Sequence, residues 1–155
     1  MIRKHTMASQ VSDILVDLVP LSEGFELVQY DPMIHHEIVP QIYSRCFNLR
    51  AWGELWDKFE GFYSEGVFLI YHKSLKSYVG FIVSYIAEDT PYITSLGVTE
   101  DFRGRRLGTY LVQRVAQHYA KMGYKQLWVD INPHYEGFER RCVSMGFSVI
   151  REEIR

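Results

Sequence analysis

Between residues 92 and 115 an apolar, strand-like run passes through a turn rich in arginine and glycine and directly into an amphipathic helix. This junction limits what the chain can be. The turn reads Phe102-Arg103-Gly104-Arg105-Arg106-Leu107-Gly108, after which Leu107, Leu111, Val115 and Met122 recur at helical spacing until Gly123 stops the helix. The first four N–H groups of a helix have no partner within it, and the helix dipole puts about half a positive charge there. Glycine lets the backbone approach a ligand closely, so a turn of this kind can cradle a pyrophosphate. The plainer alternative is a basic, solvated helix start. Charge placement sharpens the contrast. Residues 102–129 hold six bases (Arg103, Arg105, Arg106, Arg114, Lys121, Lys125) and no acid, whereas residues 1–101 hold seven bases and fourteen acids. The formal charge of −2 hides local balances of −7, +6 and −1. Neither the P-loop pattern nor GxGxxG is present, which removes support for nucleotide hydrolysis and for a Rossmann cofactor site.

The rest of the composition is ordinary for a folded domain. The 155 residues suit one core, and 47% apolar with 23% charged residues argues against disorder. A near-neutral total argues against binding nucleic acid through the overall field. Two cysteines, Cys46 and Cys142, stand in no metal-ligand spacing, so no metal and a reducing, cytoplasmic compartment are expected. No apolar run approaches the ~20 residues of a membrane-spanning helix, and no secretory leader is visible. Residues 11–19 are apolar at 11, 14, 15, 18 and 19, which fits a helical face or a short strand.

Periodicity predicts a strand at 25–31 and a helix over 33–47 that Pro40 bends or restarts. A second amphipathic helix is expected over 52–63, where Trp52, Leu55, Trp56, Phe59 and Tyr63 share a face. Strands are then expected at 67–71, 78–87 and 92–98, the arginine-rich turn and its helix, a strand at 126–131, a helix at 136–145 and a last strand from 147. The order β-α-α-β-β-β-α-β-α-β implies a mixed α/β sheet, mostly antiparallel, flanked by helices. Residues 1–24 are read as an N-terminal extension and 25–155 as the domain.

At this point the sequence resembles the GNAT acetyltransferase superfamily. That family's core motif is a strand, then Arg or Gln-x-x-Gly-x-Gly or Ala, then a helix. Leu96-Gly97-Val98-Thr99-Glu100-Asp101-Phe102-Arg103-Gly104-Arg105-Arg106-Leu107-Gly108-Thr109 matches it at Arg103 and Gly108, with Arg106 at the usual first glycine. The second family motif, a strand, a loop with Asn, a helix with Tyr and a Gly-Phe, frames Leu127 to Ile131, Asn132-Pro133, Glu136-Gly137 and Gly146-Phe147. The resemblance covers roughly residues 25–150.

The resemblance implies acetyl-coenzyme A binding and direct transfer of the acetyl group to an amine. Leu96, Gly97 and Val98 would hold the pantetheine arm by backbone hydrogen bonds, with the Val98 amide near the thioester carbonyl, an effect worth about 3 kcal/mol. Backbone N–H groups of Arg103, Gly104, Arg105, Arg106, Leu107, Gly108 and Thr109 would cradle the pyrophosphate. Arg106 fits if that residue is already helical, and its guanidinium could then reach a phosphate. The family's loop Asn aligns with Tyr135, and its helix Tyr, which protonates the departing thiolate, aligns with Cys142. Cys142 is therefore either a general acid or a small buried helix residue. The general base is sought at Tyr92 and Asp130 on the splayed strands, against packing for the first and a solvated strand end for the second.

His35-His36 with Glu37 reads as a solvated pair, since adjacent helix residues do not share a face. The aromatic run 52–63 reads as core, His134 as a loop residue, and Arg140-Arg141 as solvated. In the family, the loop at 48–52 would help select the acceptor. The acidic excess before residue 102 suits a cationic acceptor: a polyamine, a lysine side chain or a protein N-terminus. Two other classes compete: a GNAT-like acyl-coenzyme A sensor without catalysis, and a nucleic-acid-binding module built on Arg-Gly-Arg-Arg. The family usually adds one more strand after the last one here, so the sheet edge is completed by the N-terminal segment or by a partner chain, the latter giving a homodimer.

Overall fold

The computed structural model describes residues 3–47, 64–131 and 138–154. The expected helix over 52–63, the 48–52 loop, His134 and Tyr135 lie outside the described residues. In chain order the elements are β1 (Arg3–Gln10), α1 (Val11–Ile14), β2 (Phe25–Gln29), α2 (Pro32–His35), α3 (Ile38–Phe47), β3 (Val67–His72), β4 (Ser77–Ala87), β5 (Thr90–Val98), α4 (Leu107–Lys121), β6 (Gln126–Ile131), α5 (Phe138–Ser144) and β7 (Ser148–Ile154). The seven strands form one sheet in the order β2-β3-β4-β5-β6-β1-β7. All neighbours are antiparallel except β5 and β6. The mixed, mostly antiparallel sheet flanked by helices is as the sequence implied.

Alternation along the strands builds two cores. Phe68, Ile70, Ile82, Ile93, Leu127 and Val129 point to α4, where Leu107, Leu111, Val115 and Tyr119 cover them. The intervening Val67, Leu69, Phe81 and Val83 point the other way, onto Val39, Ile42 and Tyr43 of α3. Met122, expected on the apolar face of α4, is 47% exposed; it caps the helix, and Tyr119 takes its place in the core. The helix ends where Gly123 takes φ +92°.

The N-terminus departs most from expectation. Residues 3–10 are no appendage, because β1 runs antiparallel between β6 and β7, pairing Ala8 with Trp128 on one side and with Ser148 on the other. The chain's own beginning thus supplies a strand on that side of the sheet, with β7 at its edge. Residues 11–19 start as the helical turn α1 and then lie against α4. Gln113, 6% exposed, donates to the Ile14 carbonyl (3.2 Å) and the Asp17 carbonyl (2.8 Å) and accepts from the Val19 N–H (2.8 Å). A buried amide with three partners fixes a loop that apolar periodicity left open.

Two local expectations also change. The helix expected over 33–47 breaks at His36-Glu37, ahead of Pro40, which sits in the first turn of α3, where a missing N–H costs no bond. His35 is buried, not solvated: its Nδ1 accepts from the Asp31 N–H at 2.9 Å, and Asp31 caps α2 by accepting from the Met33 N–H at 2.9 Å. Between β4 and β5, Glu88 and Asp89 both take positive φ (50° and 60°), the backbone of a two-residue type I′ hairpin.

Candidate active site

The strands β5 and β6 pair only at Tyr92↔Trp128 and Ile93↔Val129. Beyond Ile93, no described strand follows that edge of β5. On its other side β5 continues against β4 through Val98↔Gly80, after a bulge that leaves Thr94 unpaired. The Thr99 N–H donates to the Val79 carbonyl at 2.9 Å. By alternation, Gly97 faces β4, while Leu96 and Val98 aim their N–H groups into the opening. A backbone edge of this kind takes an extended, amide-bearing ligand as it would take a strand.

The opening leads to the start of α4. A cavity of about 250 Å³ is lined there by Val98, Phe102, Arg103, Gly104, Arg106, Leu107, Gly108, Thr109 and Arg141. The Tyr110 N–H is the first to close a helical bond, to the Arg106 carbonyl (3.0 Å), so those of Leu107, Gly108 and Thr109 remain for a ligand. The first turn carries no acid. Gly104 has φ +83°, and a methyl at Gly108 would meet nothing nearer than 3.8 Å, at Arg141 Nη1 and Leu96 Cδ2. The cradle therefore has room for a diphosphate and donors to hold it. Among the described residues no group of three or more His, Cys, Asp or Glu is arranged to hold a metal, and no helix is long and apolar enough to cross a membrane.

The arginines of the turn divide their tasks. Arg103 Nε donates to the Val98 carbonyl (3.0 Å) and its Nη2 to the Cys46 carbonyl (3.3 Å), tying the end of β5 to α3. Its own N–H already donates to Glu100 (3.2 Å), which narrows the expected backbone cradle to 104–109. Arg105 lies over the rings of Phe102 (5.3 Å) and Phe25 (5.9 Å) and does not line the cavity. Arg106 does line it, but in a left-handed conformation, φ 62° and ψ 21°, as the N-cap of α4. The expectation that this residue is already helical is corrected: the backbone keeps the shape a glycine would take, at a cost of about 1 kcal/mol for an L-residue. Arg141 is exposed, as read, and also lines the cavity from α5. Its signal was present in the spacing from Cys142 and Gly146 but needed the position of α5 to be legible.

Tyr92 and Asp130 lie on one face of the sheet at the mouth of the opening. The Asp130 Oδ1 accepts from Thr6 Oγ1 at 2.9 Å. Tyr92 stacks on Tyr85 and meets Trp128 edge-on. Tyr85, Trp128 and Thr6 were not singled out in the sequence; the hairpin register and β1 bring them in. Cys142 faces the other way, 2% exposed within the α4 core. Burial first, then Glu139, push its thiol up to about 12 against the opposing effect of Arg141.

An open β5 edge thus runs into a basic helix N-terminus, and comparison with known proteins gives the family. The Acetyltransferase (GNAT) family model matches residues 36–147, and the chain belongs to that family. Among solved structures, a GCN5-related N-acetyltransferase from Sphaerobacter thermophilus is similar at TM-score 0.79 and 19% identity, over 97% of this chain and 49% of its own. Ard1 from Thermoplasma volcanium gives 0.70 at 16% identity, over 83% of this chain and 85% of its own. Naa50 from Arabidopsis thaliana, in complex with the bisubstrate analogue CoA-Ac-MVNAL, gives 0.52 at 21% identity, over 63% and 66%. The chain spans about half the length of several structures it matches, 49% for the Sphaerobacter protein and 51% for a tandem GNAT protein of clavulanic acid biosynthesis. No curated protein sequence matches it.

Proposed function

We propose that the chain is an acetyl-coenzyme A-dependent N-acetyltransferase that passes the acetyl group directly to a primary amine in a ternary complex. The observation that carries this is the continuity of the open β5 edge, at Leu96 and Val98, with the cavity at the start of α4. Acetyl-coenzyme A supplies the acyl group as a thioester. The amides of Leu96 and Val98 bind its pantetheine arm, and the Val98 N–H is the nearest donor for a developing oxyanion. The free N–H groups of Leu107, Gly108 and Thr109, with Arg106 and Arg141, hold the diphosphate. Asp130 takes one proton from the acceptor ammonium, freeing the lone pair that attacks the carbonyl carbon; as the carbon–sulfur bond breaks, the second nitrogen proton passes to the departing thiolate. Tyr92 shapes the mouth beside it. Cys142 is a packing residue in this scheme, since a buried thiol pushed up to about 12 is a poor donor to a thiolate.

That same observation favours a second reading, an acyl-coenzyme A sensor, because no proton donor stands at the helix position where the family carries Tyr. Calorimetry with acetyl-coenzyme A tests both. Binding that Gly108→Glu abolishes is expected, and unimpaired binding to that variant refutes the cradle. Turnover of acetyl-coenzyme A with a panel of amines supports the enzyme, and none with any amine supports the sensor.

A further inference from the structure

On the sheet face opposite α4, side chains from four strands gather beside the opening between β5 and β6. Tyr85 of β4 stands opposite Tyr92 of β5, and their rings stack with centroids 5.9 Å apart and 21° between planes. Tyr92 meets Trp128 of β6 edge-to-face at 5.4 Å. Asp130, two residues along β6, shares the face of Trp128. Its carboxylate is held by the hydroxyl of Thr6, which is 3% exposed and belongs to β1. All three rings are half-buried. The Tyr85 hydroxyl senses the carboxylate: burial first, then Asp130 and Tyr92, raise its pKa. The next charge in the row, Arg151 on β7, lies opposite Thr6, one strand further out, and is exposed.

Aromatic faces attract a cation through their quadrupole, and an adjacent carboxylate adds a full opposite charge. A neutral ligand of the same size gains neither. We propose that Tyr85, Tyr92, Trp128 and Asp130 form the acceptor subsite and select an ammonium-bearing acceptor, which lies against the rings with Asp130 as its counter-ion. Thr6 is a positioning residue that aims the carboxylate from the inserted strand. This rests on the transferase reading, because the opening between β5 and β6 is where an acyl group would be presented. It narrows that reading from amines in general to acceptors that arrive as cations.

The test uses tetramethylammonium, a cation that cannot be acetylated, on the full chain without acetyl-coenzyme A. Binding is followed by NMR through the Trp128 indole N–H, assigned by its loss in Trp128→Phe. A saturating shift at millimolar cation is expected, with tert-butanol, uncharged and similar in size, binding at least tenfold more weakly. Asp130→Asn should weaken the cation at least fivefold with its spectrum otherwise folded. Thr6→Val should weaken it severalfold and raise KM for 1,4-diaminobutane more than it lowers kcat, with acetyl-coenzyme A affinity unchanged. Equal binding of the cation and tert-butanol, or an unaltered Asp130→Asn, overturns the proposal. If no cation binds while acetyl-coenzyme A does, the subsite falls and the transferase reading stands. If the cation binds as expected and acetyl-coenzyme A does not, the cluster stands as a cation site and the transferase reading falls.

Discussion

Replacing Arg106 by glycine should move stability and ligand affinity in opposite directions. The backbone at this N-cap is left-handed, φ 62° and ψ 21°, which costs an L-residue about 1 kcal/mol. Glycine relieves that strain but gives the unfolded chain back about 0.4–1 kcal/mol of conformational entropy. The ligand-free variant should therefore be as stable as the parent or up to about 0.6 kcal/mol more so. The same change removes one of the three arginine side chains lining the cavity. A charge-assisted hydrogen bond is worth about 1.5–3 kcal/mol. Arg106 is exposed, so the lower end applies, about a tenfold loss of coenzyme A affinity. Urea unfolding without ligand and calorimetry at fixed ionic strength measure the two. Arg106→Ala separates the causes, since it loses the charge but keeps the strain: its affinity should fall equally while its stability does not rise. Coenzyme A affinity unchanged within twofold in Arg106→Gly, or a clearly less stable ligand-free variant, refutes the reasoning.

Gly66→Ala should destabilise the fold by about 2–3 kcal/mol in denaturant unfolding, because its methyl would stand 2.6–2.8 Å from Ser84 Oγ, the Ser84 carbonyl and the Tyr119 hydroxyl; a loss under about 0.5 kcal/mol would contradict the packing. Cys142 has a folded pKa near 12, above its ordinary 9.0, so the stability its neutral form confers is complete below pH 9 and drains away as pH rises toward 12. Unfolding followed from pH 8 to 11 should fall more steeply in the parent than in Cys142→Ala, and parallel profiles would mean the thiol is not buried as described. Amides of β1 that bond to β6 and β7 should exchange with solvent as slowly as those of β5, where a frayed terminus would exchange within seconds.

Local patterns made most of the sheet legible. The continuous apolar runs at 67–71 and 78–87 and the glycine-arginine junction before α4 depend on neighbours in sequence, and the structure follows them. What escaped depended on contacts across the chain. Residues 3–10 are Arg-Lys-His-Thr-Met-Ala-Ser-Gln, too polar to announce a central strand. They become one because they pair with residues more than 115 positions away. Met7 carries most of the apolar burial there, at 0% exposure, while Thr6 and Ser9 are buried by virtue of their neighbours on β6 and β7. The same distance hid half of the candidate site. Tyr92, Asp130 and the turn at 102–109 stood out by their local setting, but Tyr85, Trp128, Thr6 and Arg141 acquire meaning only from register and helix placement. Cys142 shows the reverse: a motif alignment put it near chemistry, and its side chain points into the core.

The sheet itself explains why these groups meet where they do. It consists of an antiparallel half, β2 to β5, and a second antiparallel half, β6, β1 and β7, joined only by the two residue pairs between β5 and β6. Each half twists as a unit, and a joint that short cannot hold the two edges together beyond it. The gap is therefore a consequence of topology, and the polar backbone it exposes at Leu96 and Val98 demands partners. The helix that returns the chain from β5 to β6 must start at the open end of β5, which aims its free N–H groups and positive dipole at the same gap. On the opposite strand, Asp130 is the first side chain past the joint on the face away from α4, and β1 reaches it with Thr6 only because that strand lies inside the second half. Were β1 a true extension outside the sheet, β6 would face β7 across an unfilled strand's width, and the carboxylate would lose the hydroxyl that orients it. The chain's first strand thus belongs to the candidate chemistry as much as the arginine-rich turn does.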